Sequence, residues 1–494
     1  MDAILSGAGL VFNLQTLVVI LAAAAFGMFV GAIPGLTATM AVALLVPVTY
    51  FMEPIPAIAA MVTTAAVTIF AGDIPGAYLR IPGTPSSAAY VDEAYAFSQR
   101  GKASECLGIA LVCSVIGGII GTLVLIFVAP YLAEFALNFS AFEYFWLALL
   151  GLSCAVFISP GSHLKAVLSL CIGLSLATVG LDSTTGSPRF TFGVTDLMGG
   201  VNFIPVMIGL FAIAEVMRFT SKPADELAVT VKDTGRVFGE VTPALRQHWK
   251  SVLRGSGTGS LIGVLPGAGS DIAAWVSYAV SRKFSPTPDR FGSGHAEGIV
   301  ETSSSNNAAV SSSWVPVLVF GIPGDTITAV VIGVLYMKGM NPGPAIFMEG
   351  GSMVYALFMV FIIANLVMLP VGYIAIRMGK GFVATPTRIV MPIVLAFCIV
   401  GAYSINNSTV DVMLMLMAGV AAYGLGRAGF PAAPIILGLV LGGLLEKSFM
   451  SAMIRSDGDL LAFFSRPISA SLGALVILIW LLPLLIRVVR RVAA

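Results

Sequence analysis

Residues Gly31–Met40 read GAIPGLTATM, and residues Gly263–Ile272 read GVLPGAGSDI. Each stretch sits inside a long apolar run and places Pro-Gly where a membrane-spanning helix favours leucine. Proline removes an intrahelical hydrogen bond and clashes with the preceding turn, at a cost of about 3 kcal/mol, and glycine adds about 1 kcal/mol against alanine. In hydrocarbon the freed carbonyls must find partners or cost several kcal/mol each. Broken backbone of this kind is therefore expected to face protein, water or a ligand. The break also creates a new helix start, whose free N–H groups and positive dipole end attract anions. A lone Pro-Gly can serve packing or a simple kink. What points to a site is its repetition, each time followed by polar side chains.

The surrounding sequence is that of a polytopic α-helical membrane protein. The 494 residues are 57% hydrophobic and 10% charged, with a mean hydropathy of +0.97. Apolar runs such as Leu107–Pro130, Met353–Ile376 and Ile468–Ile486 have the length of a bilayer crossing. That ruler gives roughly 11 to 14 crossing or half-crossing segments. A barrel would instead show short alternating strands. The net charge of +1 and the lack of a long basic run speak against nucleic acid. The five cysteines lie in apolar segments without metal spacing and read as packing residues. The histidines, 163, 248 and 295, are far apart in sequence and suggest no metal site. The start MDAILSGAGL lacks the basic region of a cleavable signal, so the first helix is expected to serve as its own.

Two halves are legible. Pro34-Gly35 answers Pro266-Gly267 at an offset of 232 residues; Pro75–Gly83 answers Pro316–Gly324 at 241; Ile204–Leu210 answers Ala433–Leu439 at 229. The expected organisation is a first transmembrane repeat over 1–217, a polar linker over 218–255, a second repeat over 256–456, and an extra C-terminal helix with a basic tail over 457–494. The linker carries seven Lys/Arg against four Asp/Glu, which favours the cytoplasmic side. With an odd number of crossings per repeat the second copy is inverted, the arrangement of many secondary transporters; parallel copies are the alternative.

Four breaks, two per repeat, supply the candidate substrate-binding residues: Gly35, Thr37 and Thr39; Gly83, Thr84, Ser86 and Ser87; Gly267, Gly269 and Ser270; Gly324, Asp325 and Thr326. Thr84, Asp325 and the pair Ser270/Asp271 are expected to cap the helices that follow. Asn306 and Asn307 join them from the polar run Ser303–Ser313, whose plainer reading is a surface loop. Hydroxyl and amide oxygens also suit a hard cation, so Asp73, Asp271, Ser304, Ser305, Asn306 and Asp325 are the candidate coupling-ion residues, with Glu301 as a further carboxylate. Arg80 can pair with a substrate carboxylate or snorkel to the interface. No P-loop, HExxH or GxSxG arrangement is present, which argues against an enzyme. No cofactor is expected beyond a coupling cation, Na+ or H+, with the oxygen-rich cluster favouring Na+.

The segments Gly31–Tyr50, Tyr78–Ala103, Gly263–Ser285 and His295–Leu335 resemble the large membrane subunit of the tripartite tricarboxylate transporter family, and the resemblance extends over nearly the whole chain. It implies a bacterial inner-membrane importer of small carboxylates, citrate among them. It also implies a small membrane subunit of about four helices, a periplasmic substrate-binding protein and an ion gradient in place of ATP. Moving a dianion into a negative-inside cell costs about 4.6 kcal/mol per 100 mV, so uptake needs co-transported cations. A channel would pass the carboxylate without a gradient, and a membrane enzyme acting on a lipid-linked substrate would turn over in detergent. Specificity among carboxylates is expected to lie largely with the binding protein.

Overall fold

The computed structural model describes residues 2–33, 36–159, 162–182, 185–220, 235–349, 351–383 and 387–492. It is 80% helical. The described strands are a two-residue ribbon in which Gly180–Leu181 pairs antiparallel with Pro188–Arg189. The chain is thus an all-α polytopic membrane protein. Six helices are long and apolar enough to cross a bilayer: Leu14–Gly31, Pro54–Leu79, Ala103–Ala136, Gly351–Met378, Thr409–Arg427 and Ala433–Arg455. Shorter apolar helices, among them Ala38–Tyr50, Ala141–Phe157 and Thr326–Met337, fill the space between them.

Two helices form the centre. In Pro54–Ala71 every residue after the first is buried, and in Ala296–Ser312 every residue from Glu297 onward is buried. The first is apolar on all sides, as a helix surrounded by protein should be. The second is the Ser/Asn run, so it is a helix of the core and no surface loop. A polar helix can be buried when its side chains find acceptors. Ser304 and Ser312 donate to the carbonyls of Val300 and Ala308, both at 2.9 Å and four residues back. Ser305 donates to Ala273 at 3.1 Å and Ser311 to Gly118 at 3.0 Å, on neighbouring helices.

Two glycine rows let those neighbours come close. A Cβ on Gly117 would lie 2.0 Å from the Ser304 carbonyl oxygen, and one on Gly121 2.2 Å from that of Ala308. On the adjoining row of the same helix, a Cβ on Gly255 would lie 2.2 Å from the Glu301 carbonyl and one on Gly259 2.1 Å from that of Ser305. Helices Ala103–Ala136 and Val241–Val264 therefore clasp Ala296–Ser312 backbone to backbone. Within the expected polar linker, 218–255, residues 221–234 lie outside the described residues, and from Val241 the chain is helical and packed, with Ser251, Val252 and Gly255 buried. Its charged face is partly internal: the Arg254 guanidinium binds Glu301 and reaches Glu297 at 3.5 Å.

The C-terminal helix, Pro467–Val492, is held at the periphery. Trp146 Nε1 donates to the Phe463 carbonyl at 2.9 Å, and Arg466 pairs with the buried Glu143 at 3.0 Å. Phe142, Phe145, Phe449 and Phe463 pack edge-on and stacked around that joint.

Candidate substrate and ion site

Each half of the molecule stops and restarts its helices at two places, after Gly31 and Leu79 in the first and after Val264 and Phe320 in the second. Pro34 and Gly35 lie outside the described residues. Just after them, Thr37 caps helix Ala38–Tyr50 by accepting from the Met40 amide at 3.2 Å. Asp325 caps helix Thr326–Met337 in a reciprocal box with Thr328: the Thr328 amide donates to Asp325 Oδ1 at 2.7 Å, and the Asp325 amide donates to Thr328 Oγ1 at 2.8 Å. Thr37 and Asp325 thus act as helix starts require. The helices they begin lie side by side. Thr39 Oγ1 meets Thr326 Oγ1 at 2.8 Å at one end. At the other, Lys338 Nζ donates to the carbonyls of Tyr50 and Met52 at 2.8 and 2.6 Å. The pair is therefore parallel. Tyr50 and Phe51 are exposed, and a 12-residue helix is about 18 Å long, shorter than the bilayer core of about 30 Å. At the starts Ala38 and Thr39 are buried, in contrast to the exposed far end.

The third break delivers its helix to the same place. Gly267 and Gly269 have φ of +84° and +59°, a left-handed backbone that glycine adopts without strain. A Cβ on Gly269 would stand 2.5 Å from Asp325 Cβ, so these tips touch. Helix Gly269–Phe284 starts there, with Asp271 in its first turn. Ser270 and Asp271 are thus inside the helix, and the cap position belongs to Ala268, a departure from expectation. The Asp271 carboxylate faces Asp325 and accepts from the Ser86 backbone amide.

Ser86 brings in the remaining break. No α-helix follows Pro82-Gly83. Thr84 accepts from the Ser87 amide at 3.2 Å and Ser87 Oγ donates to the Thr84 carbonyl at 2.8 Å, so the two close a turn on themselves. A 3-10 turn over Ser87–Ala89 follows, and a helix begins only at Val91. Thr84 thus closes a local turn and caps no α-helix, a departure from expectation. Gly83 donates to the Gly72 carbonyl at 3.0 Å, and a Cβ there would meet the Gly31 carbonyl at 2.9 Å, so the first two breaks also touch. Thr37, Asp271, Asp325 and Thr326 keep partial exposure, whereas Thr39, Ser86 and Ser270 behind them are buried.

Behind this cluster lies a second one that sequence reasoning only half identified. Asp73, 2% exposed, accepts from the Tyr90 hydroxyl at 2.6 Å, and Asn306 Nδ2 donates to the same hydroxyl at 3.4 Å. Asn307 is separate: its Nδ2 approaches the Ala66 carbonyl and Met368 Sδ. Ser304 points at the Gly255 seam and Ser305 at Ala273, so their hydroxyls donate to backbone. Glu301 is neutralised by Arg254. Arg80 is 61% exposed and bound to Asp92 at 2.7 Å, in a cleft lined by Tyr95, Gln99 and Arg100, away from the tips. The rings of His248 and His295, distant in sequence, come within 5.9 Å. Among the described residues no group of three or more His, Cys, Asp and Glu could hold a metal. Tyr90, Arg254 and the glycine rows were missed; the four-residue spacing of 117/121 and 255/259/263 was the available signal.

Helices that stop and restart around a polar cluster, within a multi-pass helical protein, are the construction of a membrane transporter. A family profile described as the tripartite tricarboxylate transporter TctA family matches residues 17–437, and the chain belongs to that family. It is a transporter family and not an enzyme family. An uncharacterized 52.8 kDa protein from the TAR-I ttuC' 3' region of Agrobacterium vitis is 35% identical over 460 residues, covering 92% of this chain and 91% of its own. An uncharacterized protein from the TAR-II ttuC' 3' region of the same organism is 37% identical over 228 residues, covering 46% of this chain and 94% of its own. No solved structure matches the chain.

Proposed function

We propose that the chain is the large membrane subunit of a binding-protein-dependent importer of di- and tricarboxylates such as citrate, driven by a cation gradient. One observation carries this reading: three helix starts, Thr37/Ala38, Gly269 and Thr326, meet at one place together with two carboxylates, Asp271 and Asp325. Each start is worth roughly +0.5 of a charge. Two carboxylates more than cancel three such ends. An anionic substrate can therefore enter only alongside cations, which is the electrostatic form of symport.

Thr39, Ser86, Ser270 and Thr326, with the amides at Gly267, Gly269 and Gly324, are the donors proposed to hold the substrate. Na+ is the proposed coupling ion, because the buried donors are oxygens. The partners are a small membrane subunit of about four helices and a periplasmic binding protein, and the setting is a bacterial inner membrane. The two halves are proposed to be inverted copies that move as an elevator against the peripheral helices.

Reconstitution of the complex in vesicles, with Na+ and H+ gradients imposed singly, tests this. Labelled citrate should accumulate above equilibrium under an inward Na+ gradient. Equilibration without regard to any gradient would make the protein a channel, and turnover in detergent would make it an enzyme.

A further inference from the structure

Among the described residues, the buried carboxylates Glu301, Glu143 and Glu93 are neutralised or well solvated by protein, and Asp73 is not. Glu301 has Arg254, and Glu143 has Arg466. Glu93 accepts from the amides of Gly294 and His295, both at 2.6 Å, and from Tyr278. Asp73 has only the Tyr90 hydroxyl on Oδ1; its Oδ2 is buried without a partner. Asn306 Oδ1, on the amide whose Nδ2 donates to that hydroxyl, is also buried without a partner. Ser303 is in hydrogen-bond contact with Tyr90 as well. A carboxylate in a low-dielectric interior requires a compensating positive charge, a cation or a proton. Among the described residues no lysine, arginine or histidine pairs with Asp73.

We propose that Asp73, Tyr90 and Asn306 form a buried binding site for one Na+ ion, distinct from the carboxylates at the helix tips. The donor set is carboxylate, phenolic and amide oxygen, which suits a hard cation and excludes soft metals. A single carboxylate balances a single positive charge, which favours a monovalent ion over Ca2+ with its several carboxylates. The segment Gly83–Tyr90 is anchored at its start by Gly83 on the Gly72 carbonyl and at its end by Tyr90 on Asp73. An ion that ties Tyr90 and Asn306 to Asp73 therefore fixes the loop that presents Ser86 to Asp271. The ion's coupling role rests on the transport reading above; its binding does not.

The test is thermal unfolding of the purified full chain in detergent, in NaCl, KCl or choline chloride at equal ionic strength. Saturating Na+ is expected to raise the unfolding temperature by a few degrees over choline, through preferential binding to the folded state. Asp73→Asn should abolish the Na+ response, and Tyr90→Phe, which keeps the ring and the packing, should weaken the Na+ midpoint roughly tenfold. An equal response of the wild type to all three salts overturns the proposal. So does a wild-type Na+ midpoint in either variant. Citrate accumulation is measured in parallel. A wild type with an Asp73-dependent Na+ response but no gradient-driven accumulation leaves this site standing and removes the transport reading. Accumulation without such a response does the reverse.

Discussion

Residues Pro54–Gly83 and Ala296–Gly324 follow the same order of elements at an offset of 241, and they carry different chemistry. Each runs as a buried helix, turns into a short second helix, Asp73–Leu79 or Trp314–Phe320, and ends in Ile-Pro-Gly. Each second helix ends on a left-handed residue whose amide bonds back four positions: Arg80 to Gly76 at 3.1 Å, Gly321 to Val317 at 3.0 Å. Each final glycine packs on the junction between its helices, Gly83 on Gly72 and Gly324 on Ser313. The charges do not follow the path. Asp73 corresponds to Trp314, and Asp325 corresponds to Thr84. The first arm carries its carboxylate behind the break and the second in front of it. One backbone solution used twice thus yields one acid facing the tips and one facing the core.

The seams of the two arms give the largest expected effect. In the second arm the hypothetical Cβ contacts are 2.0–2.2 Å and reach backbone, whereas in the first, Gly27 would meet the Thr64 carbonyl at 3.0 Å. Gly259→Val should therefore cost more than about 3 kcal/mol and abolish folded protein, with Gly27→Val at about 1–3 kcal/mol. Monodispersity on size exclusion separates them, and equal yields would show that the seams are equally tolerant. Next in size is Asp325→Ala against Thr84→Ala. Loss of the Asp325 cap costs only about 1 kcal/mol, so expression should survive while citrate uptake disappears. Thr84→Ala, which removes a turn contact, should retain uptake. Normal uptake in Asp325→Ala would take the carboxylate out of the site.

Much of this was legible in the sequence, and the remainder was not for identifiable reasons. Repeated Pro-Gly inside apolar runs, each followed by polar side chains, marks interrupted helices, and Asp325 before TITAVV has the residue type of a helix start. The fate of the serines was hidden. Ser304 and Ser305 read as ion ligands by composition, but whether a hydroxyl faces a cavity or a carbonyl depends on neighbours 30 to 50 residues away. The helix from Val241 was hidden by its polarity: Arg254 belongs inside only because Glu301, 47 residues on, is there to receive it. Thr84 failed as a helix cap because Ser87 satisfies it locally, a competition that sequence alone does not rank.

The tip glycines give a smaller effect and a direct measure of how alike the arms are. A Cβ on Gly324 would stand 2.6 Å from the Ser313 carbonyl, and one on Gly83 2.7 Å from Gly72 Cα. Both alanine variants should lose about 1–3 kcal/mol in thermal unfolding. The Gly83 variant should lose more, because it also presses on the Gly31 carbonyl at 2.9 Å, which belongs to another break.

The smallest effect concerns the left-handed position itself. Arg80 holds φ of +58° where the second arm has Gly321 at +67°. A non-glycine residue in this region costs roughly 1–2 kcal/mol. Arg80 partly offsets that through an exposed ion pair with Asp92, worth about 0–1 kcal/mol, and through its approach to the Tyr95 ring. Arg80→Gly relieves the strain, loses the pair and adds unfolded-state freedom. The three terms nearly cancel, so the unfolding temperature should move by no more than about 0.5 kcal/mol equivalent in either direction. Uptake should stay at the wild-type level, because the guanidinium does not reach the tips. A large loss of uptake with unchanged stability would mean that Arg80 meets the substrate during transport, and the two arms would then differ in function at the one residue where their backbones agree best.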